Sequence, residues 1–344
     1  MTATAREPDL LDGILPGVSR SFALSLRVVP GSLRSPFGLT YLLARAADTI
    51  ADTRALPPAE RRRHVEALRV AIRGGEGAAL GELRARVTPG HAASEVALLE
   101  RLPDVLAAYR GLMPADRARG QVVLLTLTKA MLDALDRFPA EEAGRVGALE
   151  TAADLDRYTY MNAGCVGEFW TEMVVAHRSR CAGWNVPLMR GRAARFGQGL
   201  QLTNVLRDLP RDLRLGRCYL PRADLAAGGL APEDLLDPGA IGRLRPLLAA
   251  LVKQAVGHLE EGRLYTLAVP RREIRLRLAS AWPLLIGLAT LTRLARADNL
   301  LDPGVTVKIT RPELRRLLAV STALAASNRG LRAYAEHLAG AVAA

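Results

Sequence analysis

A chain of 344 residues and 37.0 kDa is long enough for one large hydrophobic core or two ordinary ones, and 49% hydrophobic with 24% charged residues excludes a disordered or collagen-like polymer. Forty-seven basic against thirty-five acidic residues leave a net charge of +12, nearly all of it arginine, since Lys129, Lys253 and Lys308 are the only lysines. That excess suits phosphates, nucleic acid or an anionic membrane surface and selects none of them, while three cysteines without a CxxC pair (Cys165, Cys181, Cys218) argue against a structural zinc site or a secreted disulfide scaffold.

Along the chain, apolar residues recur at helical spacing almost throughout, and β-branched alternation is scarce, so an all-α protein is expected. The pattern predicts helices near 35–53, 58–73, 92–111, 115–137, 163–179, 188–209, 239–267, 271–297 and 311–341, the last one broken. Met1 to Asp9 carries acids and no apolar run, so no signal peptide is expected. Leu278 to Thr292 is apolar but contains Pro283 and falls short of the roughly 20 residues a spanning helix needs, which predicts a buried core helix. The stretches Gly74-Gly75-Glu76-Gly77, Thr88-Pro89-Gly90 and Arg222 to Gly239 read as loops rather than linkers. A single domain over 1–344 is expected, in a cytoplasmic protein, with peripheral contact to the inner face of a membrane left open.

Two segments carry chemistry. In Tyr41-Leu-Leu-Ala-Arg45-Ala-Ala-Asp48-Thr-Ile-Ala-Asp52, about 100° per residue places Tyr41, Arg45, Asp48 and Asp52 within one arc of an otherwise apolar helix. Carboxylates four residues apart repel by a few tenths of a kcal/mol, and burial raises that cost unless a cation intervenes. In the second segment, Gln201, Asn204, Asp208 and Asp212 share a face if the helix runs that far, with Arg207 and Arg217 close in sequence. Pro210 lies inside this motif, lacks an N–H and crowds the carbonyl of Leu206, so the helix is expected to end or kink there and to misplace Asp212. A lone D-x-x-x-D is commonly a solvated face. Two of them, each on an apolar helix with arginines at hand, suit Mg²⁺, which takes one or two carboxylates per ion and leaves its other positions to water and phosphate. The arginines suit the remaining phosphate oxygens.

The order Ser19-Arg20-Ser21-Phe22, then YLLARAADTIADT at 41–53, YTYMNAGCVG at 158–167 and NVLRD…DLRLGRCYLP at 204–221 resembles the squalene/phytoene synthase family, over about residues 15 to 312, and most of all its squalene branch. The resemblance implies an all-α isoprenoid-synthase bundle around a central apolar cavity, joining two prenyl diphosphates head to head. It implies Mg²⁺ on Asp48, Asp52, Asp208 and Asp212, and phosphate contacts from Arg20, Arg45, Arg207 and Arg217 with Ser19 and Ser21 beside them. Phe22, Tyr41, Tyr158 and Tyr219 would line the reacting region, with Gln201 and Asn204 on the metal-bearing face. Tyr158 matches the tyrosine placed near the first reaction, where a ring face can stabilise a cation and a phenol oxygen can relay a proton. Many members carry an acid before the second aspartate of each motif, where this chain has Ala51 and Arg211.

The implied chemistry is ionisation of one allylic diphosphate, attack by the double bond of the second, and proton loss to a cyclopropyl intermediate, presqualene diphosphate if both substrates are farnesyl diphosphate. A second ionisation then ends in hydride from NADPH (squalene), proton loss (a phytoene-type polyene) or water (an alcohol). Val307-Lys308-Ile309-Thr310-Arg311 resembles the V-K-I-x-R stretch of squalene synthases, whose basic residues are associated with NADPH, and this favours squalene. The alternatives are a phytoene- or diapophytoene-type synthase and a non-catalytic assembly factor of the same fold. Sparse aromatics and the lack of a recognised module argue against nucleic acid. Asn162 to Gly167 is rich in small residues, which predicts close approach of a helix to substrate. Cys165 reads as a core residue, the tryptophans as core or cavity wall, and histidines such as His64 and His177 as surface or packing residues.

Overall fold

The computed structural model describes residues 7–18, 22–77, 79–82, 92–138 and 145–343, without the side chains of Phe22, Ala23 and Ala343. The Thr88-Pro89-Gly90 loop expected from sequence lies outside them. The chain divides into two compact units, Met1–Asp136 with Glu172–His177, and Arg137–Thr171 with Arg178–Ala344.

In the first unit a π-helical turn, Asp9–Ile14, runs into α1 (Leu15–Val18), followed by α2 (Phe22–Val28), α3 (Gly31–Asp52), α4 (Pro58–Ile72), α5 (Ala93–Glu100), α6 (Leu102–Arg110) and α7 (Pro114–Arg137). Helix α3 is the axis, with α1, α4, α5 and α6 packed along it. Its residues Leu33, Leu39, Leu42, Leu43 and Ile50 are wholly inaccessible, each contributing about 1.5–3 kcal/mol of burial. Thr53 adopts extended backbone and ends the helix, and Pro58, pre-set for a first helical turn, starts the next.

The second unit contains β1 (Gly147–Leu149), α8 (Ala152–Thr159), a π-helical turn (Tyr160–Gly164), α9 (Cys165–His177), α10 (Val186–Arg214), β2 (Arg217–Pro221), α11 (Arg222–Ala227), α12 (Ile241–Ala268), α13 (Ile274–Ala295), α14 (Arg311–Leu324) and α15 (Asn328–Ala343). The last six residues of α9 belong to the first unit. Here α10 is the axis, against which the π-helical turn, α12 and α13 pack. Helix α13 is long and apolar enough to cross a membrane, but 61% of its apolar window is buried, and it packs among α10, α12, α14 and α15. It is the buried core helix expected, though at 22 residues longer than its uncharged stretch.

Three features depart from the sequence reading. The pair β1–β2 is parallel, with Gly147 opposite Arg217 and Ala148 opposite Cys218; a three-residue strand whose partner lies about seventy residues away leaves no local period to read. Helices at 9–18, 22–28 and 152–164 were also not expected, the last being started by a capping box in which Thr151 Oγ1 accepts from Asp154 N at 3.2 Å and Asp154 Oδ2 accepts from Thr151 N at 3.0 Å. Third, α10 does not end at Pro210 but continues to Arg214. Pro210 forfeits its own hydrogen bond, yet Leu206, Leu209 and Leu213 at 0–2% exposure hold the two sides of the interruption on one buried face.

The small residues at 163–167 serve helix packing. A Cβ on Gly167 would fall inside the carbonyl of Ala193, and one on Gly197 inside the carbonyl of Ala163. The π-helical turn and the start of α9 therefore meet α10 backbone to backbone. Gly167→Ala and Gly197→Ala should each destabilise the protein by about 2–3 kcal/mol, overriding the roughly 1 kcal/mol by which alanine outranks glycine in a helix. By calorimetry this corresponds to a melting temperature lower by about 3–4 °C. Gly257→Ala in α12, where a Cβ meets open space, should leave it unchanged or raise it.

Candidate active site

In the first unit, α3 places Tyr41, Arg45, Asp48 and Asp52 along its one polar stripe, Asp52 exposed and the other three half-buried. Arg45 Nη1 donates to Asp48 Oδ2, and Nη2 donates to Glu95 Oε1 on α5. Burial alone would disfavour the guanidinium charge, but Asp48 and Glu95 outweigh it and push the arginine above its usual range. Arg45 Nε is buried without a hydrogen-bond partner. Tyr41 Oη donates to Val18 O at 3.4 Å, tying the stripe to α1. Glu95 escaped the sequence reading because nothing in its own helix marks it, and the contact that gives it meaning is fifty residues away.

In the second unit, Gln201, Asn204, Asp208 and Asp212 lie on one half-buried face of α10, as their spacing requires. Arg207 grips Asp208 bidentately, Nε to Oδ1 at 2.9 Å and Nη2 to Oδ2 at 2.6 Å. That bond, with the field of Asp212 added, raises the Arg207 pKa. Because α10 runs through Pro210, Asp212 remains on the stripe, near both Arg207 and Tyr158. Asn204 Nδ2 donates to Gln201 Oε1 at 3.4 Å, and Gln201 Nε2 to Tyr158 Oη at 3.4 Å.

Tyr158 and Tyr219 are stacked, with centroids 4.4 Å apart and planes at 24°, and Phe138 meets Tyr219 edge-on at 5.3 Å. Phe138 is a wall residue that sequence reasoning missed. Tyr219 reaches this position because β2 pairs with β1, and the turn into β2 depends on Gly216, whose φ of +72° suits glycine and whose Cβ would stand 3.0 Å from Arg145 O. Burial, then Tyr219 and Asp212, push the Tyr158 phenol well above the usual tyrosine value.

Among the described residues no three His, Cys, Asp or Glu side chains form a metal-holding group. Each stripe instead offers two carboxylates one helical turn apart, accessible to solvent and with a guanidinium at hand. This donor set fits Mg²⁺ completed by phosphate and water and does not resemble an all-protein cage.

Of the other residues singled out, Ser19, Arg20 and Ser21 lie outside the described residues, and Phe22 opens α2. Arg217 is half-buried at the start of β2. Lys308 is exposed in the segment before α14, while Arg311 is not in that loop but is the exposed first residue of the helix, behind the cap formed by Thr310 and Glu313. Cys165 is buried and its thiol is pushed up to about 12, as befits a core residue. His64 is fully buried, and His177 Nε2 lies 2.9 Å from Asp116 Oδ2.

The signature described as squalene/phytoene synthase matches residues 15–313, and the chain belongs to that family of head-to-head prenyltransferases. Among similar proteins, a bifunctional lycopene cyclase/phytoene synthase of Colletotrichum graminicola is 28% identical over 71% of this chain and 40% of its own length. A squalene synthase of Eremothecium gossypii is 26% identical over 86% of this chain and 64% of its own. The chain thus spans between 40% and 64% of the length of these two relatives. The solved complex of TcSQS with the ligand BPH1237 superimposes with a TM-score of 0.76, covering 98% of this chain and 97% of that one at 24% identity, which establishes the shared helical fold.

Desolvation favours the neutral phenol, so Tyr158 should stay protonated through the range centred near about pH 10 in which ordinary tyrosines ionise. Absorbance titrations at 295 nm of the native protein and of Tyr158→Phe should coincide through that range. A missing tyrosinate step in the variant there would show a phenol exposed to solvent.

Proposed function

We propose that this protein joins two molecules of farnesyl diphosphate head to head, through presqualene diphosphate, and reduces the product to squalene with NADPH. The observation that carries the reading is the grouping on the second unit of a stacked, desolvated Tyr158–Tyr219 pair with Gln201, Asp208, Asp212 and Arg207. An aromatic face able to stabilise a carbocation lies beside carboxylates and a guanidinium able to hold a diphosphate.

Asp48 and Asp52 on α3, and Asp208 and Asp212 on α10, would hold Mg²⁺, whose contribution is Lewis-acid stabilisation of the leaving diphosphate. Arg45 and Arg207 pair with Asp48 and Asp208 while substrate is absent. When diphosphate arrives they can turn part of their donor set to its oxygens, each charge-assisted contact contributing about 1.5–3 kcal/mol. The stacked rings of Tyr158 and Tyr219 exclude water from a developing allylic cation. The Tyr158 phenol can relay the proton lost on cyclopropane closure, taking it up on Oη as its own proton passes to the released diphosphate, and Gln201 orients that oxygen. Lys308 and Arg311 are the residues proposed for NADPH, which supplies the hydride.

Activity should require Mg²⁺ and vanish on chelation. Asp48→Ala and Asp208→Ala should each lower kcat by orders of magnitude with the circular dichroism spectrum unchanged. Full turnover in EDTA, or in either variant, would overturn the assignment of Mg²⁺ to the two aspartate stripes, and no turnover by the native protein with Mg²⁺ would place it with the non-catalytic members of the fold. Since α10 carries Asp212 through Pro210 on the same face, Asp212→Asn should lose as much activity as Asp208→Asn and shift the Mg²⁺ requirement in the same direction. A much milder loss would mean that the proline turns Asp212 away.

The reductive step is tested separately. Lys308→Ala with Arg311→Ala should spare cyclopropane formation and, at limiting NADPH, accumulate presqualene diphosphate, with squalene recovered as NADPH is raised. One charge-assisted phosphate contact corresponds to roughly ten- to hundredfold in affinity. If the native protein makes the same hydrocarbon with and without NADPH, the product is of the phytoene type.

A further inference from the structure

The two arginines that pair with the aspartate stripes are held differently. Arg207 gives both of its bonded nitrogens to Asp208 and, among the described residues, donates to no other side chain. Arg45 divides its donors. Nη1 goes to Asp48, three residues along the same helix, and Nη2 goes to Glu95 on α5, fifty residues away. The two acceptors also differ in exposure: the Asp48 side chain is 41% open to solvent, while those of Glu95 and Arg45 are 16% and 14% exposed. A carboxylate that is to meet a metal must be reachable from water, and Asp48 is. The bond to Glu95 lies in the drier place, where it is the stronger of the two and the costlier to open, since opening leaves two desolvated charges unpaired.

Glu95 stands where packing alone would place an apolar residue. Leu98 and Leu99, three and four positions further on, are buried and mark the core-facing side of α5. That helix packs against α1, α3 and the π-helical turn Asp9–Ile14. A carboxylate on such a side is unfavourable unless a cation meets it, and Arg45 is that cation. The dependence is mutual. Arg277, wholly buried in the second unit, is fixed through all three of its nitrogens: Nε donates to Ala325 O at 2.6 Å, Nη1 to Val269 O at 2.5 Å and Nη2 to Asn328 Oδ1 at 2.7 Å. Arg45 Nε is buried without an acceptor, so the two Nη bonds set the plane of its guanidinium, and one of those is to an aspartate with another task.

We propose that Glu95 is a positioning residue for diphosphate binding: it anchors Arg45 through Nη2, so that Nη1 can pass from Asp48 to a diphosphate oxygen while the guanidinium keeps its place. This rests on the reading of Asp48 and Asp52 as carboxylates of a Mg²⁺-diphosphate site. Without the anchor, Arg45 can close on Asp48 with two nitrogens, as Arg207 does on Asp208. It then competes with the metal for that carboxylate and is turned away from the phosphate. A carboxylate acting only through its field behaves otherwise. Its negative charge attracts Mg²⁺ and repels diphosphate, so its removal weakens the metal and tightens the anion. Removal of an anchor weakens both.

The test is calorimetric titration of the full chain with inorganic pyrophosphate in the presence of Mg²⁺, which needs no turnover. The native protein is expected to bind, and the component lost in Asp48→Ala is that of the first stripe. Glu95→Leu should weaken this component about tenfold or more, the effect of one charge-assisted contact, and raise the Mg²⁺ concentration at which it is half-formed. Glu95→Gln, which keeps an oxygen for Nη2, should weaken it less, and it serves in place of the leucine variant if that one does not fold. Circular dichroism and thermal melts establish which variants are folded. In an Arg45→Ala background Glu95→Leu should not weaken binding at all, because the anchor then has nothing to hold. Equal losses with and without Arg45 would show a structural role and overturn the proposal, as would unchanged or tighter pyrophosphate binding in the folded Glu95 variants. Failure of the native protein to bind Mg²⁺ and pyrophosphate would remove the site itself and this inference with it, whereas native binding beside unaffected Glu95 variants overturns the positioning role alone.

Discussion

The second unit depends on one constraint, the approach of α10 to its neighbours at backbone distance. Gly167 and Gly197 remove the side chains that would hold the start of α9 and the π-helical turn away from it. On the α12 side, Gly199 lies so close to the next helix that a Cβ would stand 2.9 Å from that of His258. Helices this close cannot slide or rotate without collision. That rigidity fixes Tyr158, one residue pair before the π-helical turn, opposite Gln201 on α10, and thereby sets the distance between the aromatic pair and the aspartate face.

The same electrostatic solution appears once in each unit. A carboxylate pair one turn apart on a helix buried along its other sides is unfavourable without a cation. Arg45 answers it on α3 and Arg207 on α10, each bonded to the first aspartate of its pair. The details differ. Arg45 is shared between Asp48 and Glu95 and is the more buried of the two, whereas Arg207 makes a bidentate pair with Asp208 alone. Each guanidinium thus has two carboxylates in its field, Asp48 and Glu95 at Arg45, Asp208 and Asp212 at Arg207, and the more buried Arg45, bonded to both of its own, is the less free to leave.

Arginine also explains how a chain with so large a positive excess keeps a stable interior. Arg277 is buried with no carboxylate beside it among the described residues, and carbonyls at two helix ends take the place of a counter-ion. A lysine could not reach all three acceptors in one plane. Glu273 shows the converse: at 4% exposure its carboxylate is held by Arg178 at 2.7 Å and by Arg180 at 3.1 Å.

The sequence by itself determined what depends on neighbours within a few residues. The helical class, the two polar stripes, the core role of α13 and the burial of Cys165 all follow from periodicity, because a helix face repeats within its own segment. The order of the motifs was enough to indicate the family. Only the tertiary structure decided the rest, and each instance is a contact between distant positions. Glu95 gains its meaning from Arg45, Phe138 from Tyr219, and β1 exists only because Arg217 to Pro221 lies beside it. The glycines at 164 and 167 looked suited to a ligand, and it is the backbone of α10 that occupies the space. Pro210 looked like a helix end because a local rule assigns it a lost hydrogen bond. Burial of Leu206, Leu209 and Leu213 outweighs that single loss, since three packed side chains contribute more than one backbone bond removes.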